Sequence, residues 1–342
     1  MDNLYADLYY YIFSFLQQKD LITLSMVSKK FYNLIDNLNL PNVDFYTACK
    51  NGYYLNIKKF LKSNKKYNVN IAFENACQAG HKPIIKLLIT KGAKDIDMGL
   101  QAACKSGDKN FIDYMISKGA KDWQWNGIKG ACEGGHKDIL DFVISKGAKN
   151  WNVGFYAACL GGHKEIVDFM IQKGVKNWNS GLEAACRGGN RNIVDYMISM
   201  GADNFNMGLA AACKSGKRDI IYYMISLGAN NWNLALLNAC LGGHRDMVEV
   251  FIQMGAKNWN SGLSCALEGG HFEIADYMLQ LGADKENLIF YYIHGNRKVK
   301  KYVYKKIKQY NLDKDDNDVV DNRSKKMIKN ILIYKQDRMS TF

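Results

Sequence analysis

The chain has 342 residues, is 48% hydrophobic and 23% charged, carries a formal net charge of +13 with His neutral, and contains 2 prolines and 30 glycines. That balance excludes a collagen-like or disordered chain, and the length alone would allow two or three domains. No apolar stretch approaches the roughly 20 residues of a membrane span, and the Met-Asp-Asn start is not the basic n-region of a signal peptide, so a soluble, cytoplasmic protein is expected.

The first predicted element occupies residues 1–40. Leu4, Leu8, Ile12 and Leu16 recur at every fourth position, Lys19 and Asp20 interrupt them, and Leu21, Leu24, Val27, Phe31 and Leu34 resume the pattern. That spacing predicts a small helical bundle. Pro41 marks its junction with the rest of the chain.

From residue 44 the chain repeats itself. Residues 181–207 read GLEAACRGGNRNIVDYMISMGADNFNM and residues 208–234 read GLAAACKSGKRDIIYYMISLGANNWNL, two copies of a 27-residue unit. Cys49, Cys77, Cys104, Cys132, Cys159, Cys186, Cys213 and Cys240 mark the same slot, which Leu267 takes in the ninth unit, with Cys265 two positions earlier. A helical pair of that length cannot bury its own apolar face, so a fixed period of this size predicts a stack of such pairs. About nine units fill residues 44–286. A degenerate tenth, with Tyr292 in the Cys slot, covers 287–312 and reads as a cap, and 313–342 is a tail of mixed charge with a short basic helix at 325–335. The fold class expected is all-α, a helical-repeat solenoid behind a small N-terminal helical module.

Within a unit, the first helix, such as LEAAC at 182–186, is made of small residues that let neighbours approach closely. The second, such as EIVDFMIQK at 165–173, puts Ile166, Val167, Met170 and Ile171 on one stripe. Gly174 and its equivalents Gly92, Gly119, Gly147, Gly201, Gly228, Gly255 and Gly282 suit a left-handed helix end. Pro83 stands in a first turn, where its missing N–H costs nothing, and Ser180 followed by Glu183 fits a capping box.

The stretch GGHKEIVDFMIQKGVK at 161–176, with Ala-Cys ahead of it, resembles the ankyrin repeat, and it recurs in register over roughly residues 44–312. The Thr-Pro-Leu-His opening is absent, and the unit is shorter than the family's about 33 residues. The missing residues fall where the family projects a β-turn finger, so the resemblance implies finger-poor units that bind a protein target. The string LYADLYYYIFSFLQQKDLITLSMVSKKFYNLID at 4–36 is similar to an F-box, matching at Leu4, Leu8, Ile12, Phe13, Leu16, Asp20, Leu21, Leu24, Val27, Ser28, Lys29 and Phe31, with Tyr5 where that family most often has Pro. This resemblance implies docking on a Skp-family linker of a cullin-based ubiquitin ligase through Leu4, Leu8, Ile12, Phe13, Leu16, Leu21 and Val27. The alternative is a plain cap over the first repeat. F-box and ankyrin units together in an Asn-, Lys- and Tyr-rich chain are similar to proteins of large DNA viruses that infect amoebae.

Enzyme chemistry finds no foothold, because the acidic residues Asp113, Asp141, Asp168 and Asp195 recur with the repeat where catalysis needs a unique constellation. No cofactor is expected. Cys77/His81, Cys132/His136, Cys159/His163 and Cys240/His244 show a Cys-x-x-x-His spacing, yet each pair supplies only two ligands and Asp108, Asn190 and Lys217 replace the His elsewhere, so a structural role is expected and no metal. Disulfides do not suit a slot repeated every 27 or 28 residues.

Eight residues before the Cys slot stand Ile96, Trp151, Trp178, Phe205, Trp232 and Trp259, with Trp123 and Trp125 in the unit that carries one extra residue. The row is either a recognition surface or packing that fills the place of the finger against the next unit. Freely varying first-helix positions, Gln101, Lys129, Tyr156, Glu183, Ala210 and Asn238, are the other candidates for target binding. From Lys285 to Phe342, 15 Lys/Arg stand against 7 Asp/Glu. RKVKKYVYKKIK at 297–308 suits a cap helix with Val299, Tyr302, Val303 and Ile307 inward; a nucleic-acid contact is the lesser reading.

Overall fold

The computed structural model describes residues 43–63 and 65–310; the F-box-like segment at 1–40 and the tail at 313–342 lie outside the described residues. The chain divides into two compact units between Lys176 and Asn177. Among the described residues every regular element is helical.

The first unit contains five successive pairs: α1 (Phe45–Asn51) with α2 (Tyr54–Lys62), α3 (Val69–Gln78) with α4 (Lys82–Thr90), α5 (Ile96–Ser106) with α6 (Lys109–Ser117), α7 (Ile128–Gly134) with α8 (Lys137–Ser145), and α9 (Trp151–Gly161) with α10 (Lys164–Gln172). The second contains α11 (Trp178–Gly188) with α12 (Arg191–Ser199), α13 (Phe205–Ser215) with α14 (Arg218–Ser226), α15 (Trp232–Gly242) with α16 (Arg245–Gln253), α17 (Trp259–Gly269) with α18 (Phe272–Gln280), and α19 (Asn287–His294) with α20 (Arg297–Gln309). Within each unit, every first helix packs on its own second helix and on the first helix of the following pair. This is the stacking a helical-repeat solenoid requires.

Small residues set the spacing of the first helices. A Cβ placed on Gly130 would lie 2.3 Å from the Gln101 carbonyl oxygen, and one on Gly161 would lie 2.4 Å from that of Glu133. The second helices supply the large apolar side chains: Ile166, Val167 and Met170 are buried in one unit, Ile220, Ile221 and Met224 in the other. Gly174 ends its helix at φ 95°, and the N–H of Val175 reaches back to the Met170 carbonyl at 3.3 Å, a Schellman arrangement. Pro83 occupies the first turn of α4.

The first helices begin earlier than the Ala-rich segment suggests. Asn150, Asn177, Asn204 and Asn231 cap them by accepting from the N–H three residues on, so Trp151, Trp178, Phe205 and Trp232 lie inside the first turn. The capping box expected at Ser180 is therefore corrected. Ser180 gives its N–H to Asn177 Oδ1 at 3.1 Å, while Glu183 pairs with Arg187 at 2.8 Å. The extra residue of the fourth pair is absorbed as a π-helical turn at Trp123–Gly127, which leaves Trp125 61% exposed.

The last described pair keeps the pattern in degenerate form. Val299, Val303, Ile307 and Tyr292 are buried, and Tyr302 donates its O–H to Asp276 at 2.7 Å, while Lys298, Lys301, Lys305 and Lys308 are exposed. Among the described residues no helix is long and apolar enough to cross a membrane.

Candidate functional site

Successive pairs are tied by side chains that bond to the main chain of a neighbour. Asn179 Oδ1 accepts from the N–H groups of both Asp203 and Asn204 at 2.9 Å, and Asn206 and Asn233 repeat the contact one and two pairs further on. In the first unit Asp97 does the same for Lys121 and Asp122. These polar residues sit directly after the first residue of the helix, an aromatic in all but the Ile96–Asp97 case, and were missed from sequence. Their signal was the recurrence of Asn behind Trp151, Trp178, Phe205, Trp232 and Trp259.

The His residues work in the opposite direction along the stack. His81, His136 and His163 place Nε2 at 3.1 Å from the carbonyl oxygens of Lys50, Lys105 and Glu133 in the preceding pair. A carbonyl only accepts, so each Nε2 carries the proton and donates. The same rings lie over left-handed glycines of that preceding pair: a Cβ on Gly135, at φ 78°, would meet the His163 ring at 2.4 Å.

The Cys slot faces the interior. Burial pushes the thiols of Cys104, Cys132, Cys159 and Cys213 up to about 12, and those of Cys49, Cys186 and Cys240 as well, with smaller contributions from Asp44, Glu183 and Cys265 respectively. Cys77 is raised further still, again by burial first, then by Asp95 and Glu74. A thiol held protonated is a poor nucleophile and a poor metal ligand. Its His partner in the Cys-x-x-x-His spacing is turned to a carbonyl, and among the described residues no three Cys, His, Asp or Glu converge as ligands.

The aromatic row lies half-buried on the first turns. Trp123 meets Phe142 at 5.8 Å and Trp151 meets Phe169 at 6.4 Å, both edge to face, while Trp232 stacks on Phe251 at 6.4 Å. Lys173 Nζ stands 5.6 Å above the Trp151 ring. The ring partners belong to the second helix of the same pair, at which the first turn points the aromatics. Trp178 and Trp259 occupy the same first-turn position in α11 and α17. The Trp259 indole N–H is buried.

Gln101, Lys129 and Tyr156 are half-buried at one position on α5, α7 and α9, which stack in that order and bring the three onto one face of the first unit. Glu183 holds that position in α11 of the second unit, engaged with Arg187. Ala210 is buried at 4% exposure and offers nothing to a target, and Asn238 Nδ2 donates to the Leu234 carbonyl of its own helix.

The outer faces of the second helices carry a solvated ladder. Arg191 lies 3.1 Å from Asp195 and over the Tyr223 ring, whose O–H donates to Asp195 at 2.7 Å and is held well above its usual pKa by that bond. The Lys82 ammonium beside Asp108 lowers that carboxyl.

Comparison with protein families finds two matches along the chain. Residues 1–42 match the F-box domain model, and residues 209–288 match the model for ankyrin repeats in 3 copies, from within α13 to the start of α19. No match was found among the curated proteins. The helix pair that carries the ankyrin match recurs from α3 to α18, with the same interior slot and the same left-handed glycines. The chain is thus similar to the F-box family at its N-terminus and to ankyrin repeats behind it, two kinds of module that act by binding other proteins.

Proposed function

We propose that the chain is a non-enzymatic adaptor that recruits a protein target to an SCF-type ubiquitin ligase. The F-box segment docks on a Skp-family linker through Leu4, Leu8, Ile12, Phe13, Leu16, Leu21 and Val27, and the repeats hold the target through the face of the first unit that carries Gln101, Lys129 and Tyr156, with Glu183 as the candidate at the same helix position in the second unit. The observation that carries this reading is the order of the modules: the F-box match ends at residue 42, and α1 begins at Phe45. A binding module fused directly behind an F-box is placed to present its cargo to the ligase. The resemblance to proteins of amoebal viruses supports a host cell's cytoplasm as the setting, with a host linker.

The test is affinity purification of the full chain from host lysate. Skp-family and cullin subunits should co-purify, and Ile12→Asp with Leu16→Asp should abolish that while helical circular dichroism persists. A folded parent chain that brings down protein targets without any linker would favour a plain ankyrin-type binding protein. Partners released by nuclease would favour a nucleic-acid scaffold.

A further inference from the structure

In this stack the Cys slot of one first helix faces the residue two positions before that slot on the next first helix. The register is visible between α5 and α7, where a Cβ on Gly130 would lie 2.9 Å from Cys104 Cβ. A Cβ on Gly154 would lie 3.2 Å from Cys132 Sγ and one on Gly208 3.0 Å from Cys186 Sγ, which by the same register puts Ala157 opposite Cys132 and Ala211 opposite Cys186. It puts Cys265 opposite Cys240. Among the described residues this is the one junction where thiol faces thiol.

A second contact fixes the same alignment. A Cβ on Gly262, one turn before Cys265 on α17, would lie 3.6 Å from Cys240 Sγ on α15. A disulfide requires Cβ atoms about 3.5–4.5 Å apart, a spacing within small adjustment of facing positions on two adjacent first helices. Cys240 is wholly buried, whereas Cys265 is half-buried and open to a small oxidant. Both thiols are free in this structure.

We propose that Cys240 and Cys265 are a redox-sensitive pair, closed by an oxidant of the peroxide class into a disulfide that ties α15 to α17. The Cys265 sulfur attacks one peroxide oxygen and the O–O bond breaks, giving a sulfenic acid and one water. Cys240 Sγ then attacks that sulfur; the S–S bond forms, the S–O bond breaks, and the Cys240 proton leaves with the hydroxyl as a second water. Two thiols have lost two electrons and two protons to the peroxide. Burial raises both thiol pKa values, for Cys265 with Glu268 adding to the rise and Lys214 opposing it, so closure is slow at neutral pH and quickens in alkali. The bond fixes the spacing of two neighbouring first helices and so couples the stiffness of that stretch to peroxide.

The experiment treats the full chain with hydrogen peroxide, then denatures, alkylates and maps it by mass spectrometry after tryptic cleavage, which separates the two Cys at Arg245 and Lys257. A linked peptide pair holding Cys240 and Cys265 is expected, released by dithiothreitol, with the other seven cysteines alkylated. In Cys265→Ser the link should vanish and Cys240 should be alkylated, while melting before oxidation stays unchanged. Recovery of Cys265 as sulfinic or sulfonic acid with Cys240 alkylated would overturn the proposal. So would alkylation of both, or equal linkage of Cys265 to another cysteine.

Discussion

From α3/α4 to α17/α18 each helix pair carries two glycines at positive φ, and in the fourth pair their surroundings differ completely. Gly135 closes α7 at φ 78° beneath the His163 ring of the following pair, whereas Gly147, after α8 at φ 94°, has nothing within 4 Å of the place a methyl would take. One turn is an interface and the other is a surface. The same division runs through the layers. First helices meet main chain to main chain, as at Gly130 and Gly161, and exchange the His and Asn bonds that set the register between pairs. Second helices bury large side chains but touch their neighbours outside through exposed ion pairs such as Lys109 with Asp138, a kind of contact worth little in water. Resistance to change should therefore be concentrated in the first-helix layer.

The largest test of that contrast is alkaline titration, because all the buried thiols belong to the first-helix layer. The folded thiols sit at about 12 against about 8.5 in an unfolded chain. A group with a raised folded pKa contributes stability that is fully present below the unfolded value and is lost as pH climbs toward the folded one. Each thiol should then remove about 1.4 kcal/mol per pH unit above about pH 8.5. Thermal melting should fall steeply between about pH 9 and 11, and replacing Cys159, Cys186 and Cys213 together by Ala should flatten the fall. A parent and triple variant with the same alkaline profile would assign the loss to Tyr and Lys instead and break the contrast.

A smaller effect separates the two turns directly. Gly147→Ala places a methyl in open space and should cost only the left-handed strain, about 1–2 kcal/mol. Gly135→Ala adds a collision with the His163 ring and should cost about 1–3 kcal/mol more. The double variant Gly135→Ala with His163→Ala should recover most of that excess, which a double-mutant cycle on melting measures. Equal costs for the two single variants would show that the interface turn relaxes freely.

How much of this was legible beforehand depended on whether a residue acts through its own shape or through a partner. The period, the Ile166–Val167–Met170 stripe, the left-handed Gly174 and Pro83 in its first turn could be read because side-chain type and spacing alone decide them. The start of the first helices could not, since Asn177 as a cap looks like any loop Asn and Ser180 with Glu183 offered a competing motif. The extra residue near Trp123 was countable but not placeable; a loop or a π turn would satisfy the same spacing. Asn179 was missed because its partners are main-chain N–H groups 24 and 25 residues away. Ala210 was misjudged for a related reason, as variability along one sequence does not reveal which side of a short helix faces a neighbour.

The smallest effects separate packing from recognition in the aromatic row, where the exposed Trp125 supplies the internal standard. Trp151 lies half-buried against Phe169 with Lys173 above it, so Trp151→Ala should remove ring contacts and cost about 2 kcal/mol, below the about 3–5 kcal/mol of a fully buried aromatic. Trp232→Ala should behave alike through its stack on Phe251, and Trp178→Ala through its equivalent place in α11. Trp125→Ala changes a side chain that already stands 61% in solvent, and should move stability by no more than about 0.5 kcal/mol. Melting and target affinity measured together on the four variants decide the roles. Packing predicts lower melting for the first three and an unchanged value for the fourth. Three half-buried variants that melt like the parent while losing about 2 kcal/mol of target binding would make the row a recognition surface instead.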